Sequence, residues 1–320
     1  MGLLHASILS MMPDVEIVAL VDKSTLLTRL FKKVFSPKGI SVMNDFEKLS
    51  ELSLDAAYIT TPISSHSFIA KSLFKNETVN NMFVEKTLAS EYTQAKELCD
   101  LANNRGSITM VGYMKRFSVV FRKAKDLLDS QIVGKPFSFK AYAYSSDFQG
   151  LTRESKSSAS RGGALRDIGC HVVDLALWLL GDLNVCGVVP SADAKVNSGT
   201  SVSFNVRNPD GLTGQFSVSQ SMFNYRMPEF GLSIDCSKGR IEVNDDRLFL
   251  TLGNAEKRKW YRADLNDTVD FFLGEPEYYR ENRSFIDSIL NEKVCEPNFG
   301  TGLKVDRLLD EVGKEALRFE

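Results

Sequence analysis

Gly162-Gly163-Ala164-Leu165-Arg166-Asp167-Ile168-Gly169-Cys170-His171-Val172-Val173-Asp174-Leu175 is the stretch on which the reading of this chain turns. Asp167 and His171 stand four residues apart in a run whose pattern predicts a helix reaching Trp178 and Leu180. That spacing puts both side chains on one face, one turn apart. Ile168, Val172, Leu175 and Leu179 form the adjoining apolar stripe that would bury the helix. A carboxylate beside an imidazole holds the ring's tautomer and strengthens it as a base near neutral pH. On this stretch alone a plainer alternative stays open: Asp167 favours the helix N-terminus and His171 is a satisfied core histidine.

Composition narrows the classes. At 320 residues the chain is long enough for two cores. A hydrophobic share of 43% and a charged share of 25% are those of an ordinary globular protein. A net charge of −2, with acids and bases interspersed, gives no electrostatic reason to expect nucleic acid or an anionic membrane as partner. No apolar run approaches the ~20 residues of a membrane span. Met1 to Met12 lack the basic flank and small-residue cleavage site of a signal peptide. Five scattered cysteines without a C-x-x-C pair argue against a zinc knuckle or disulfide framework, so we expect reduced thiols and a cytoplasmic protein. Three histidines (His5, His66 and His171) make a multi-histidine metal site improbable, and no metal is expected.

Outward from the motif, residues 1–113 alternate helix and strand. Leu4, Ile8 and Met11 give a helical stripe, and residues 15–21 a buried strand ending at Asp22. A helix through Leu27, Leu30, Phe31 and Val34 follows, then strands near 41–43, 55–60, 82–84 and 108–112 with helices between them. Such a rhythm predicts a doubly wound parallel sheet of the Rossmann type, with ligands outside the carboxyl ends of the strands. Asp22, Thr60, Thr61, Pro62, Lys86 and Gly112 fall at those ends. From 114 to 320 the pattern is α+β. A helix through Val120 and Leu127 precedes an alternating strand over 137–144, and 149–163 reads as a polar loop. Strand-like runs then fill Val185 to Leu252, with a hairpin signal at Asn208-Pro209-Asp210-Gly211, and two amphipathic helices close the chain. A largely antiparallel, open sheet is expected, with a face that can pair with another copy as a homo-oligomer. Arg116, Tyr144, Arg153, Tyr225 and Arg226 are candidates to meet hydroxyl or phosphate groups of a ligand.

Four landmarks now stand in order: Asp22 after a strand, Thr61-Pro62 with His66, Glu85-Lys86, and Gly162 to Asp174. Together they resemble the Gfo/Idh/MocA family of sugar and inositol oxidoreductases, as does Val111-Gly112-Tyr113-Met114-Lys115-Arg116-Phe117 at the domain junction. The resemblance covers essentially the whole chain. It implies a dinucleotide-binding domain over 1–113 and a substrate-binding domain over 114–320. It also implies NAD, with NADP possible, as cofactor and a sugar or polyol as small-molecule substrate. By the same resemblance Lys86, Asp167 and His171 are the catalytic residues, and with Arg116 they bind substrate. Gly2, Asp22, Thr60, Thr61, Pro62, His66, Glu85 and Lys86 surround the cofactor. Asp22 suits the ribose hydroxyls and repels a 2′-phosphate, an effect that Lys23 and Arg29 weaken. A non-catalytic ligand-binding or regulatory protein on the same scaffold is the second reading, and a dimerisation module the third.

The chain departs from the family pattern in three places. Thr87 stands where the family has proline, which relaxes the backbone that aims Lys86. Ala164 follows Gly163 where a third glycine is usual. Met1-Gly2-Leu3-Leu4-His5-Ala6 resembles the tail of the G-x-G-x-x-G fingerprint, with the first strand and earlier glycines absent. We therefore expect an N-terminally shortened chain, with Met1 internal to that fingerprint, weak in NAD binding and poorly stable in its first half. Extension upstream by roughly ten residues, a strand and its turn, is expected to raise both.

Overall fold

The computed structural model describes residues 1–36, 39–146, 162–189, 200–253, 255–269 and 274–319. They form two compact units, Met1–Gly112 with Val269–Gly302, and Tyr113–Thr268 with Leu303–Glu320. The first change of unit falls at Gly112/Tyr113. Residues 269–302, which the sequence reading assigned to the second domain, belong to the first unit. Among the described residues no helix is long and apolar enough to cross a membrane.

The first unit carries α1 (Gly2–Leu9), β1 (Ala19–Val21), α2 (Thr25–Phe35), β2 (Ser41–Met43), β3 (Ala56–Ile59), α3 (Ile63–Lys75), β4 (Asn81–Val84), α4 (Tyr92–Arg105) and β5 (Thr109–Val111). The strands are parallel and separated by helices, the Rossmann-like arrangement read from the sequence. They form two sheets, β1–β2 and β3–β4–β5, and among the described residues no strand pairs with the second edge of β1 or β3. That division explains a shortened element. Residues 15–21 read as one strand, yet only 19–21 pair, because β2 offers three residues and, among the described residues, no strand pairs on the other side. Burial follows the same line: β5 is buried throughout and β1 only half-buried.

α1 turns Ile8 inward as its stripe predicts, but the helix ends at Leu9, so Met12 rather than Met11 completes the buried side. Ile8, Leu9 and Met12 cluster with Ile286 of α7 (Pro276–Leu290), and Val15, Ile17, Tyr58 and Tyr278 pack around them. Each such buried aliphatic contributes about 1.5–3 kcal/mol. Ser24 accepts from the Leu27 amide (3.4 Å) and starts α2. Of that helix only Thr28 is buried. Past β5, the Val111 amide donates to the Pro297 carbonyl (2.8 Å), so residues near 297 line that edge.

The second unit holds α5 (Val119–Asp129), β6 (Pro136–Tyr144), α6 (Cys170–Leu180), β7 (Asn184–Val189), β8 (Ser201–Arg207), β9 (Thr213–Ser219), β10 (Glu229–Cys236), β11 (Gly239–Asn244), β12 (Arg247–Leu252) and β13 (Lys257–Tyr261). α8 (Phe299–Ala316) begins in the first unit and continues in the second. One continuous sheet runs β13-β12-β11-β10-β6-β9-β8-β7, antiparallel except for β6 beside β9. Period-two alternation puts Phe139, Phe204, Phe216, Leu232 and Ile241 on the buried face and Lys140, Asn205, Gln215 and Glu242 on the exposed one. α5 packs on β11 and β12, and α6 on β6 and β10. At the expected hairpin, the Asn208 carboxamide accepts the Leu212 amide (2.9 Å) and Gly211 takes φ 90°. β13 is an addition: Lys257-Arg258-Lys259 hides it from a hydrophobic pattern, and it is recruited by register against β12.

Candidate active site

The motif helix of the second unit is not a regular α-helix throughout. Gly162 and Gly163 take φ of 82° and 72°, left-handed values that side chains rarely adopt, so the Gly-Gly pair is a backbone requirement. Leu165–Gly169 is then a π-helical turn, and α6 follows from Cys170. The sequence reading had Asp167 and His171 one regular turn apart; the wider π turn between them re-aims Asp167. A Cβ on Gly169 would sit 3.2 Å from Val218, so this glycine lets the turn press onto β9. Arg166 anchors the turn to α8 by ion pairs with Asp306 (3.3 Å) and Asp310.

Asp167 is half-exposed, and its Oδ2 accepts from Gln220 Nε2 at 2.8 Å. Gln220 is itself fully buried and donates its amide to the Thr200 carbonyl (2.8 Å). His171 is buried against the rings of Phe230 (centroids 5.1 Å) and Tyr113 (6.3 Å). Burial, then the charge of Asp306, pushes the Tyr113 phenol well above its ordinary value, so it keeps its proton. Lys115 lies over Phe230 (5.3 Å) and pairs with Asp245 (2.8 Å) while almost wholly buried. Gln220 and Lys115 escaped the sequence reading. Lys115 lies inside the quoted junction motif, whereas nothing local marks Gln220.

In the first unit the strand-end residues lie on three loops, after β1, β3 and β4. Asp22, half-exposed after β1, accepts the Ser24 amide on Oδ1 (2.8 Å). A Cβ on Gly2 would stand 2.9 Å from Thr60 Oγ1, so α1 approaches the end of β3 closely at this residue. Thr61 and Pro62 are exposed, and Ser65 Oγ donates to Thr61 Oγ1 (2.8 Å). At the end of β4, Lys86 is half-exposed and its amide donates to Glu85 Oε2 (3.1 Å). Glu85 Oε1 faces His5 Nε2 at 2.9 Å. Burial by itself would raise the Glu85 carboxyl; the His5 hydrogen bond and charge, with the Lys86 charge and amide, outweigh it and hold the group below its ordinary value.

Three expected ligand contacts are placed differently. His66 is 1% exposed, with Nδ1 on the Thr87 carbonyl (2.9 Å) and Nε2 on the Thr61 carbonyl (2.8 Å). It braces the Thr61 and Thr87 segments against each other. Burial lowers its pKa, against the opposing pull of those two carbonyls and of Glu85. Glu85, 6% exposed, is likewise support. Arg116, expected on the substrate, spends its fork on Asp174 (Nε 2.8 Å, Nη2 2.7 Å) and lies over Trp178. Of the other candidates, Tyr144 and Tyr225 pack together (5.1 Å), Arg226 is exposed, and Arg153 lies outside the described residues.

Residues 1–113 match the model of an oxidoreductase family with an NAD-binding Rossmann fold, and residues 121–242 match that of the GFO/IDH/MocA C-terminal domain. The scyllo-inositol 2-dehydrogenase (NAD(+)) of Bacillus subtilis is 28% identical over 190 residues, 57% of this chain and 51% of that enzyme, so the match spans about half its length. The dTDP-3,4-didehydro-2,6-dideoxy-alpha-D-glucose 3-reductase of Streptomyces antibioticus is 26% identical over 81% of this chain and 76% of its own. A levoglucosan dehydrogenase solved with NADH and levoglucosan superposes with a TM-score of 0.82 at 19% identity, covering 100% of this chain and 94% of that one. The chain belongs to the Gfo/Idh/MocA family of NAD-binding oxidoreductases.

Proposed function

We propose that the protein is an NAD-dependent dehydrogenase that oxidises a secondary alcohol of a sugar, sugar derivative or polyol. The observation that carries this reading is the presentation of Lys86. Its main chain is fixed on both flanks, at its own amide by Glu85 and at the Thr87 carbonyl by His66, while its side chain is half-exposed at a strand's carboxyl end. A lysine built in this way is offered to a ligand.

The first unit fits a dinucleotide. α1 presents the positive end of a helix for the pyrophosphate, close approach at Gly2 is built in, and Asp22 keeps a carboxylate at the end of β1 for ribose hydroxyls. When bound, NAD accepts a hydride from the carbinol carbon. The chain's own residues manage charge and the proton. Lys86 hydrogen-bonds the hydroxyl oxygen and steadies the negative charge that grows there as its proton leaves. His171 takes that proton. Asp167, steered by Gln220, receives a neighbouring hydroxyl or orients the imidazole. Products are a ketone, reduced nicotinamide and one proton. Asp22 also makes NAD the favoured cofactor over NADP.

The test is nicotinamide reduction on a panel containing scyllo-inositol and levoglucosan. The wild-type chain reduces NAD with one or more members. Lys86→Ala and His171→Ala each lower kcat by roughly 10²-fold or more while the fold stays intact. Near-normal kcat in either variant removes that residue from the mechanism.

A further inference from the structure

The presentation of Lys86 has an origin outside its own loop, in a histidine of α1. Glu85 divides its two oxygens: Oε2 takes the Lys86 amide (3.1 Å) and Oε1 meets His5 Nε2 (2.9 Å). On the far side of the ring, His5 Nδ1 lies 3.0 Å from Asn282 Oδ1. That amide's orientation is set, because its Nδ2 donates to the Tyr278 carbonyl (2.6 Å). Nδ1 of His5 therefore faces the Asn282 acceptor, and Nε2 stands within hydrogen-bond distance of Glu85 Oε1. Tyr58, Phe83 and Tyr278 pack their rings around the imidazole at 5.7, 4.9 and 6.1 Å. His5 is 1% exposed and Glu85 6%, so water does not substitute for either partner.

We infer that His5 is a positioning residue for Lys86: by holding one oxygen of Glu85 it directs the other at the Lys86 amide, and so fixes how the chain leaves β4. The step rests on the reading of Lys86 as the group that meets the reacting oxygen. A buried carboxylate with one amide donor left would rotate or take up a proton, since an unpaired charge is costly in such a place. Either change releases the Lys86 amide. A histidine that merely filled the core would need the ring contacts and neither acceptor. The link spans 80 residues from His5 to Glu85 and 277 from His5 to Asn282, and ties α1, β4 and α7 into one support.

Amide exchange on the full 320-residue chain reads the link without knowledge of the substrate. His5→Leu speeds exchange at the Lys86 amide by about tenfold or more and leaves Met82 and Met110 amides as in wild type. His5→Gln, which keeps a donor for Glu85, restores the protection. His66→Leu, the control, frees the Thr87 carbonyl and leaves the Lys86 amide protected. In turnover with NAD and scyllo-inositol or levoglucosan, His5→Leu lowers kcat by roughly 10–100-fold while the KM for NAD stays within about twofold.

An unchanged Lys86 amide in His5→Leu overturns the inference. So does a loss of protection spread evenly over β4 and β5, which marks ordinary core support. If His5→Leu does not fold, Glu85→Gln reads the same bond: it keeps an acceptor for His5 and turns an NH2 towards the Lys86 amide. Normal turnover by Lys86→Ala rejects the catalytic reading of Lys86 alone, and the exchange data still decide the His5 link.

Discussion

The two units hold their functional residues by opposite means. The second builds one eight-stranded sheet, with a continuous inner layer including Phe139, Phe204, Phe216, Leu232 and Ile241, and sets its motif helix on that layer. The first divides five strands of three or four residues between two sheets, and its α2 leaves Leu26, Leu30 and Val34 at 67%, 50% and 55% exposure. Apolar burial is thin around β1 and α2, though β4 and β5 are packed, and behind the strand-end loops buried polar groups do the positioning: His5, His66, Glu85 and Asn282 are each under a tenth exposed. A hydrophobic layer tolerates an altered side chain by partial relaxation, whereas a chain of buried hydrogen bonds fails at its weakest partner.

The largest effect tests a buried ion pair of the second unit, Arg116 with Asp174. Arg116→Ala takes the guanidinium fork away from Asp174, which is fully buried, and also removes the contact with Trp178. Loss of one member of such a pair costs about 3–5 kcal/mol. Urea unfolding followed by tryptophan fluorescence is the assay, since Trp178 and Trp260 both lie in the second unit. A stable Arg116→Ala with impaired substrate binding returns Arg116 to the ligand.

Next is the contrast in apolar burial. Phe216→Ala, at the centre of the large sheet, is expected to cost about 3–5 kcal/mol, and Leu20→Ala, in half-buried β1, roughly 1 kcal/mol. Fluorescence reports the first variant; labelling of Cys99 and Cys295, buried in the first unit, reports the second. Equal losses at the two positions mean that the first unit carries more of its stability in β1 than its burial implies.

What was legible in the sequence divides along the same line. The parallel rhythm, the alternating strands and the Gly-Gly turn are local signals, carried by period and by glycine. Asp167, His171 and Lys86 were found by motif. Glu85, which holds the Lys86 amide, came with its motif, but Gln220, the partner of Asp167, did not, because it lies 53 residues along the chain. Nothing in Leu4-His5-Ala6 tells a core histidine from one that holds a carboxylate. Sequence also placed His66 and Arg116 on ligands, since a polar residue beside a motif is indistinguishable there from one that supports it.

Acid should separate the units further. His66 holds its proton less tightly in the fold than in the unfolded chain. Between its lowered value and 6.5 the unfolded chain binds more protons, so stability is fullest above 6.5 and declines as pH falls through that window. Glu85, held below 4.5, adds stability that is present above 4.5 and lost as pH falls through its lowered value. Cys99 and Cys295 are expected to become labelled at a higher pH than that at which tryptophan fluorescence changes. Coincident transitions would mean that these two buried groups do not set the acid limit of the first unit.

The smallest effect concerns the contact of α1 with β3. Gly2→Ala brings a Cβ to 2.9 Å from Thr60 Oγ1, the free end of a small side chain that can rotate away. Overpacking of this kind costs on the order of 1 kcal/mol. Replacing a glycine in a helix returns about 0.4–1 kcal/mol by restricting the unfolded chain. The two nearly cancel, so the melting temperature should stay put. What moves is the Thr60 hydroxyl, at the strand end where the cofactor is proposed to lie. NAD affinity, read by nicotinamide fluorescence or calorimetry, should fall a few-fold in Gly2→Ala, which is below about 1 kcal/mol. Thr60→Ala in the same chain removes the clash, and the double variant should bind as Thr60→Ala does alone. If Gly2→Ala lowers the melting temperature and leaves NAD binding intact, Gly2 serves packing only, and the first unit then rests on that close approach as the second rests on its sheet.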